Sequence, residues 1–131
     1  MNPEAINPLN LFLIGYRCTG KSTVGKKLAE KLSRSFFDTD ALVVVQQRMS
    51  IKEIVAMYGW ESFRGMERTI LKELSTSDEQ VVATGGGIVL NDENVMLMKK
   101  SGKIIWLRAK LETIKARMLQ DTDSPDFRPA I

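Results

Sequence analysis

The chain has 131 residues, 44% apolar and 27% charged, which suits one globular domain over 1–131 with room for a sizeable core. Its net charge of +3 is mild, with no basic run to suggest nucleic acid, no apolar run of membrane-spanning length, and a polar start, Met1-Asn2-Pro3-Glu4, unlike a secretory signal. One cysteine excludes an internal disulfide and the lack of histidine removes imidazole from catalysis and metal binding, so a reducing, cytoplasmic setting fits.

In chain order, Leu11-Phe12-Leu13-Ile14 is a short apolar run of the kind that forms a buried strand. It leads into Gly15-Tyr16-Arg17-Cys18-Thr19-Gly20-Lys21-Ser22-Thr23, which fits the spacing G-x-x-x-x-G-K-[ST] in full. Val24, Leu28 and Leu32 then recur at intervals of four, on one face of a helix. Ser35-Phe36-Phe37-Asp38 reads as a second strand, with Asp38 and Asp40 at its end. Ser50-Ile51-Lys52-Glu53 is a capping box opening a short helix that ends near Gly59. Phe63, Met66, Ile70 and Leu74 mark the buried face of another helix. Val81-Val82-Ala83 is a third strand, running into Thr84-Gly85-Gly86-Gly87. Asn91 caps a helix with Asp92 and Glu93 in its first turn and Lys99 and Lys100 in its last, the polarity its dipole favours. Lys103-Ile104-Ile105-Trp106-Leu107 is a fourth strand, followed by a helical stripe of Leu111, Ile114 and Met118. Apolar strands alternating with helices predict an α/β fold with a mostly parallel sheet covered on both faces. Ligands would sit at the carboxyl ends of those strands.

The chemistry gathers at those ends. Strand, glycine loop and helix in that order make an anion site, because the first N–H groups of a helix are unpaired and its dipole favours negative charge there. Lys21 would reach the terminal phosphates of a nucleoside triphosphate and the Ser22 hydroxyl would coordinate Mg²⁺. In extended chain Asp38 and Asp40 would point to the same side, one holding the metal through water and the other orienting or deprotonating an acceptor hydroxyl. The alternative for Asp40 is capping the next helix. Gly85-Gly86-Gly87 would let a small ligand approach the backbone, or form only a turn. Arg64, in Phe63-Arg64 with Glu67, is either a solvated charge or a planar fork for a substrate carboxylate. Arg128 lies in the polar, proline-punctuated stretch Thr122 to Pro129, and is either a mobile cation over the phosphates or part of a tail. Cys18 is a candidate reactive thiol or a small loop filler.

Together these motifs resemble the shikimate kinases. The resemblance rests on the phosphate loop Gly15 to Thr23, Phe37-Asp38-Thr39-Asp40, Phe63-Arg64 with Glu67, Gly85-Gly86-Gly87 and Arg128-Pro129, and it runs through nearly the whole chain. It implies a P-loop NTPase fold of the nucleoside monophosphate kinase type, strand order 2-3-1-4-5. It implies a monomer that transfers the ATP γ-phosphoryl group to the 3-hydroxyl of shikimate in aromatic amino-acid biosynthesis. Lys21, Asp40 and Arg128 would be catalytic. Gly15, Cys18, Thr19, Gly20, Lys21, Ser22, Thr23, Arg117 and Arg128 would bind ATP. Asp40, Arg64, Gly85, Gly86 and Gly87 would bind shikimate, with Ser22 and Asp38 on Mg²⁺. Cys18 stands where the family usually has glycine. Family members continue beyond Ile131 through a helix, a strand and a final helix, so four strands and an exposed sheet edge are expected here, from a fragment or an incomplete chain. A related gluconate-type kinase and a non-catalytic nucleotide-binding module are the alternatives.

Overall fold

The fold was taken from a computed structural model, which describes residues 9–15, 20–108, 112 and 116. The expected helical stripe of Leu111, Ile114 and Met118 lies outside the described residues. Four strands form a parallel sheet in the order β2-β3-β1-β4: β1 (Asn10–Ile14), β2 (Ser35–Asp38), β3 (Gln80–Ala83) and β4 (Gly102–Trp106). This is the expected family order as far as the described strands go. β1 is central, pairing Phe12 with Val82 on one side and with Ile104 on the other. Because side chains alternate along a strand, adjacent core residues serve opposite faces. Phe12 and Val82 pack with Leu71, Ile88 and Met98, whereas Leu13 and Val81 pack with Ala29 and, less deeply, Phe36.

Helix α1 (Lys21–Leu32) covers the second face, and its packing differs from the expectation. Val24 and Leu32 are exposed; the buried residues are Gly25 and Ala29. The reason is distance. A Cβ at position 25 would lie 2.5 Å from the Phe36 ring, so small residues let α1 approach the sheet; of the expected stripe only Leu28 packs, partly buried, against the Leu13, Ala29 and Val81 cluster.

Helix α2 (Thr39–Gln47) begins directly after β2, and Asp38 is its N-cap, accepting from the backbone N–H groups of Asp40 and Ala41. Helix α3 (Ile51–Leu74) opens with the predicted capping box, Ser50 and Glu53 each satisfying the other's backbone N–H. At Gly59 the backbone leaves helical geometry, with φ 88° and ψ 166°, so the expected break divides α3 into two limbs. Val43 of α2 and Ile51, Ile54, Phe63 and Ile70 of α3 form a separate apolar cluster against which Trp60 and Met66 pack. A 3₁₀ turn, Ile88–Leu90, follows the glycines, and α4 (Asp92–Ser101), capped by Asn91, leads into β4.

The amino ends of β1 and β3 are joined by buried polar side chains. Asn10 accepts from the Gln80 backbone N–H at 3.1 Å and from the Gln80 side-chain amide at 3.2 Å. It donates in turn to the Ser77 carbonyl at 2.8 Å.

Candidate active site

At the opposite, carboxyl ends of the strands, the expected motifs that fall among the described residues each contribute a group, and hydrogen bonds or close contacts tie the groups together. Gly20 is the N-cap of α1, and the helix has no acidic residue of its own in its first turn, where a negative charge is favoured. Lys21 is the first residue of that helix, and its ammonium donates to the Gly15 carbonyl. The Ser22 hydroxyl donates to Asp38 Oδ2 at 2.6 Å. The other carboxylate oxygen of Asp38 accepts from the N–H of Asp40 at 3.0 Å and of Ala41 at 3.2 Å. One carboxylate thus caps α2 and fixes the hydroxyl beside the phosphate loop.

Two expectations about this acidic pair are corrected. Asp38 is extended, but Asp40 lies in the first turn of α2, so the two are not alternate residues of one strand. They are neighbours because the chain turns into a helix between them. The capping role considered for Asp40 belongs to Asp38. Asp40 is half-buried.

The glycine turn is joined to the same corner. Gly85 donates its N–H to Thr39 Oγ1 at 3.1 Å, in a buried bond between residues 46 apart in sequence. The Gly85 carbonyl accepts from Ile88, and the Gly87 carbonyl from Leu90, each at 3.1 Å. Of the three glycines, then, Gly85 has its N–H committed within the protein; those of Gly86 and Gly87 have no hydrogen-bond partner among the described residues.

Arg64 reaches the turn from the second limb of α3. A Cβ at position 87 would lie 1.7 Å from its Nη1, so the guanidinium rests directly against the bare Cα of Gly87. The Trp60 ring, itself held edge-on by Phe63 at 6.0 Å, lies 5.4 Å from the Arg64 Cζ. Glu67, one turn along the helix, places Oε1 3.8 Å from Nη1. Glu67 is only 1% exposed, and burial raises its carboxyl pKa from 4.5 to about 7, against the opposing pull of the Arg64 guanidinium and the Lys21 ammonium. That Lys21 acts on Glu67 ties the phosphate loop to the arginine side of the site.

Thr23 is exposed on α1 and takes no part in these contacts. Cys18, Thr19, Arg117 and Arg128 lie outside the described residues. Thr39 and the buried state of Glu67 had no assigned part in the sequence reading. A threonine between two aspartates at a strand end was a faint signal for the first. For the second, Glu67 falls on the same helical face as Phe63, Ile70 and Leu74, which marks an acid on an apolar stripe.

A phosphate loop after the central strand of a parallel sheet in this order, with helices on both faces, defines the P-loop NTPase class. Within it, the family model for shikimate kinase matches residues 17–131. Over 122 residues the chain is 42% identical to the shikimate kinase of Sulfurihydrogenibium sp. (strain YO3AOP1), covering 93% of this chain and 74% of that one. It is 43% identical over 121 residues to that of Syntrophus aciditrophicus (strain SB), covering 92% and 62%. The solved shikimate kinase from Acinetobacter baumannii in complex with shikimate superimposes with a TM-score of 0.85 at 32% identity, covering 98% of this chain and 70% of that chain. The chain belongs to the shikimate kinase family. It spans 62% to 74% of the length of these curated relatives. A gluconokinase from Sinorhizobium meliloti 1021 shares the fold at a TM-score of 0.56 and 19% identity.

Proposed function

We propose that this chain is the kinase domain of a shikimate kinase, transferring the γ-phosphoryl group of ATP to the 3-hydroxyl of shikimate. The observation that carries this reading is the convergence of Lys21, the Asp38–Asp40 corner, the glycine turn and Arg64 at one rim of the sheet. A phosphate loop alone gives no reason for an arginine braced against Gly87, whereas a substrate carboxylate suits its planar fork. Arg64 Nη1 is buried without a hydrogen-bond partner among the described residues, and a bidentate carboxylate would supply one.

In this reading the α1 amino terminus and Lys21 hold the β- and γ-phosphates. Asp40 takes the acceptor proton as the hydroxyl oxygen bonds to the γ-phosphorus and the bond to the β-phosphate oxygen breaks, releasing ADP. Ser22 and Asp38 present hard oxygen donors at one point, and among the described residues there is no cluster of three or more His, Cys, Asp or Glu. That sparse set suits Mg²⁺, which takes one or two protein oxygens and fills its shell with phosphate and water. When bound, the ion supplies charge neutralisation on the phosphates. Arg128 and Arg117 would complete the phosphate and adenine contacts, as the family resemblance implies. The protein would act as a cytoplasmic monomer; among the described residues no helix is long and apolar enough to cross a membrane.

A coupled assay with ATP, Mg²⁺ and either shikimate or gluconate tests the reading. Turnover with shikimate alone is expected, Lys21→Ala should lower the rate on the order of 10²-fold or more, and Arg64→Ala should chiefly raise the KM for shikimate. Turnover with gluconate instead, or ATP binding without turnover of either, would replace this reading with the gluconate-kinase or the non-catalytic one.

A further inference from the structure

Thr39 is fully buried and sits between the two aspartates of the site. Its hydroxyl is not needed to start α2, because Asp38 already caps that helix. Packing alone would be met by valine, which has the same branched shape. What the hydroxyl does is accept the Gly85 N–H at 3.1 Å. With its carbonyl taken by the Ile88 N–H, Gly85 is held from both sides. The two glycines that follow inherit their orientation from it. Their N–H groups have no partner among the described residues, and Gly87 is the surface on which Arg64 rests.

We infer that Thr39 is a positioning residue for the phosphoryl acceptor, locking the glycine turn to the Asp38–Asp40 corner so that acceptor and phosphate loop keep one spacing. This rests on the kinase reading above. Without the hydroxyl, the Gly85 N–H is left buried and unpaired, a costly state that the turn relieves by shifting. A shift near 1 Å is enough to lower rates by orders of magnitude in a site that works by positioning.

The test compares Thr39→Val, which keeps shape and loses the acceptor, with Thr39→Ser, which keeps the acceptor. In steady-state assays of the full chain, Thr39→Val should raise the KM for shikimate about 10-fold and lower kcat about 10-fold, with the KM for ATP within about twofold of the wild type. Thr39→Ser should restore both parameters to within about threefold. Wild-type kinetics in Thr39→Val, equal losses for ATP and shikimate, or a serine variant as poor as the valine variant would each overturn the inference. Amide hydrogen exchange at Gly85, read by NMR without substrate, serves if Thr39→Val does not fold. In Thr39→Ala it should quicken at least about 10-fold while Phe12 exchange is unchanged; unaltered Gly85 exchange sinks the inference. If the wild type does not turn over shikimate at all, the kinase reading fails on its own, and Gly85 exchange still decides what Thr39 does.

Discussion

Glu67 is the residue whose environment is most at odds with its chemistry. It is an acid on the apolar face of α3, beside Arg64 yet only loosely paired at 3.8 Å. Its carboxyl pKa is raised from 4.5 in the unfolded chain to about 7, so the folded state binds a proton more tightly. The stabilisation this gives is fully present below the unfolded pKa and is lost as pH rises through about 7. Glu67→Gln, neutral at every pH, should therefore gain on the wild type between pH 4.5 and 7 and hold its advantage above, reaching about 3 kcal/mol at most. Urea unfolding at pH 5 and pH 8 reads this directly. A constant difference between the two proteins would mean that Glu67 is already ionised throughout.

At the scale of elements, Gly59 divides α3 with a backbone conformation that is essentially reserved for glycine. No heavy atom lies within 4 Å of the position a Cβ would take, so Gly59→Ala carries only the backbone cost, about 1–3 kcal/mol. Gly65 also has open space around it but lies within the helical second limb, so Gly65→Ala should be neutral or stabilising, by up to about 1 kcal/mol. Chemical denaturation of the two variants separates conformation from crowding; equal effects would place the Gly59 break elsewhere. The break at Gly59 and the Ser50–Glu53 capping box were legible beforehand because each is encoded within a few neighbouring residues. So were the four strands, as short apolar runs. The buried face of α1 was legible only in part, since Leu28 of the expected stripe packs on the core while Val24 and Leu32 are exposed and Gly25 and Ala29 make the closest contact. Only the position of Phe36 explains that choice, and it belongs to another element. The bond from Gly85 to Thr39 was hidden for the same reason, because it joins residues 46 apart.

For the molecule as a whole, the order β2-β3-β1-β4 sends the chain from β1 past β3 to the edge and back, opening a crevice above β1 and β3. The phosphate loop leaves one of these strands and the glycine turn the other, so on the proposed reading a nucleotide and an acceptor bound together would bridge segments far apart in the chain. Binding to the folded state alone must then stabilise the whole domain. ATP at about 100 times its Kd should add about 2.7 kcal/mol, raising Tm by roughly 10 °C. Shikimate should add a further increment in the presence of ATP. Scanning calorimetry with each ligand and with both is the measurement, and an unmoved Tm with ATP and Mg²⁺ would mean that the loop does not hold phosphate.

The Asn10–Gln80 junction at the far ends of β1 and β3 carries a consequence for descent. An apolar side chain at position 10 leaves the Gln80 backbone N–H without its acceptor whatever stands at position 80, whereas an apolar side chain at position 80 leaves Asn10 paired with that N–H and with the Ser77 carbonyl. Lineages diverging from this chain should therefore hold the asparagine at position 10 more strictly than the glutamine at position 80.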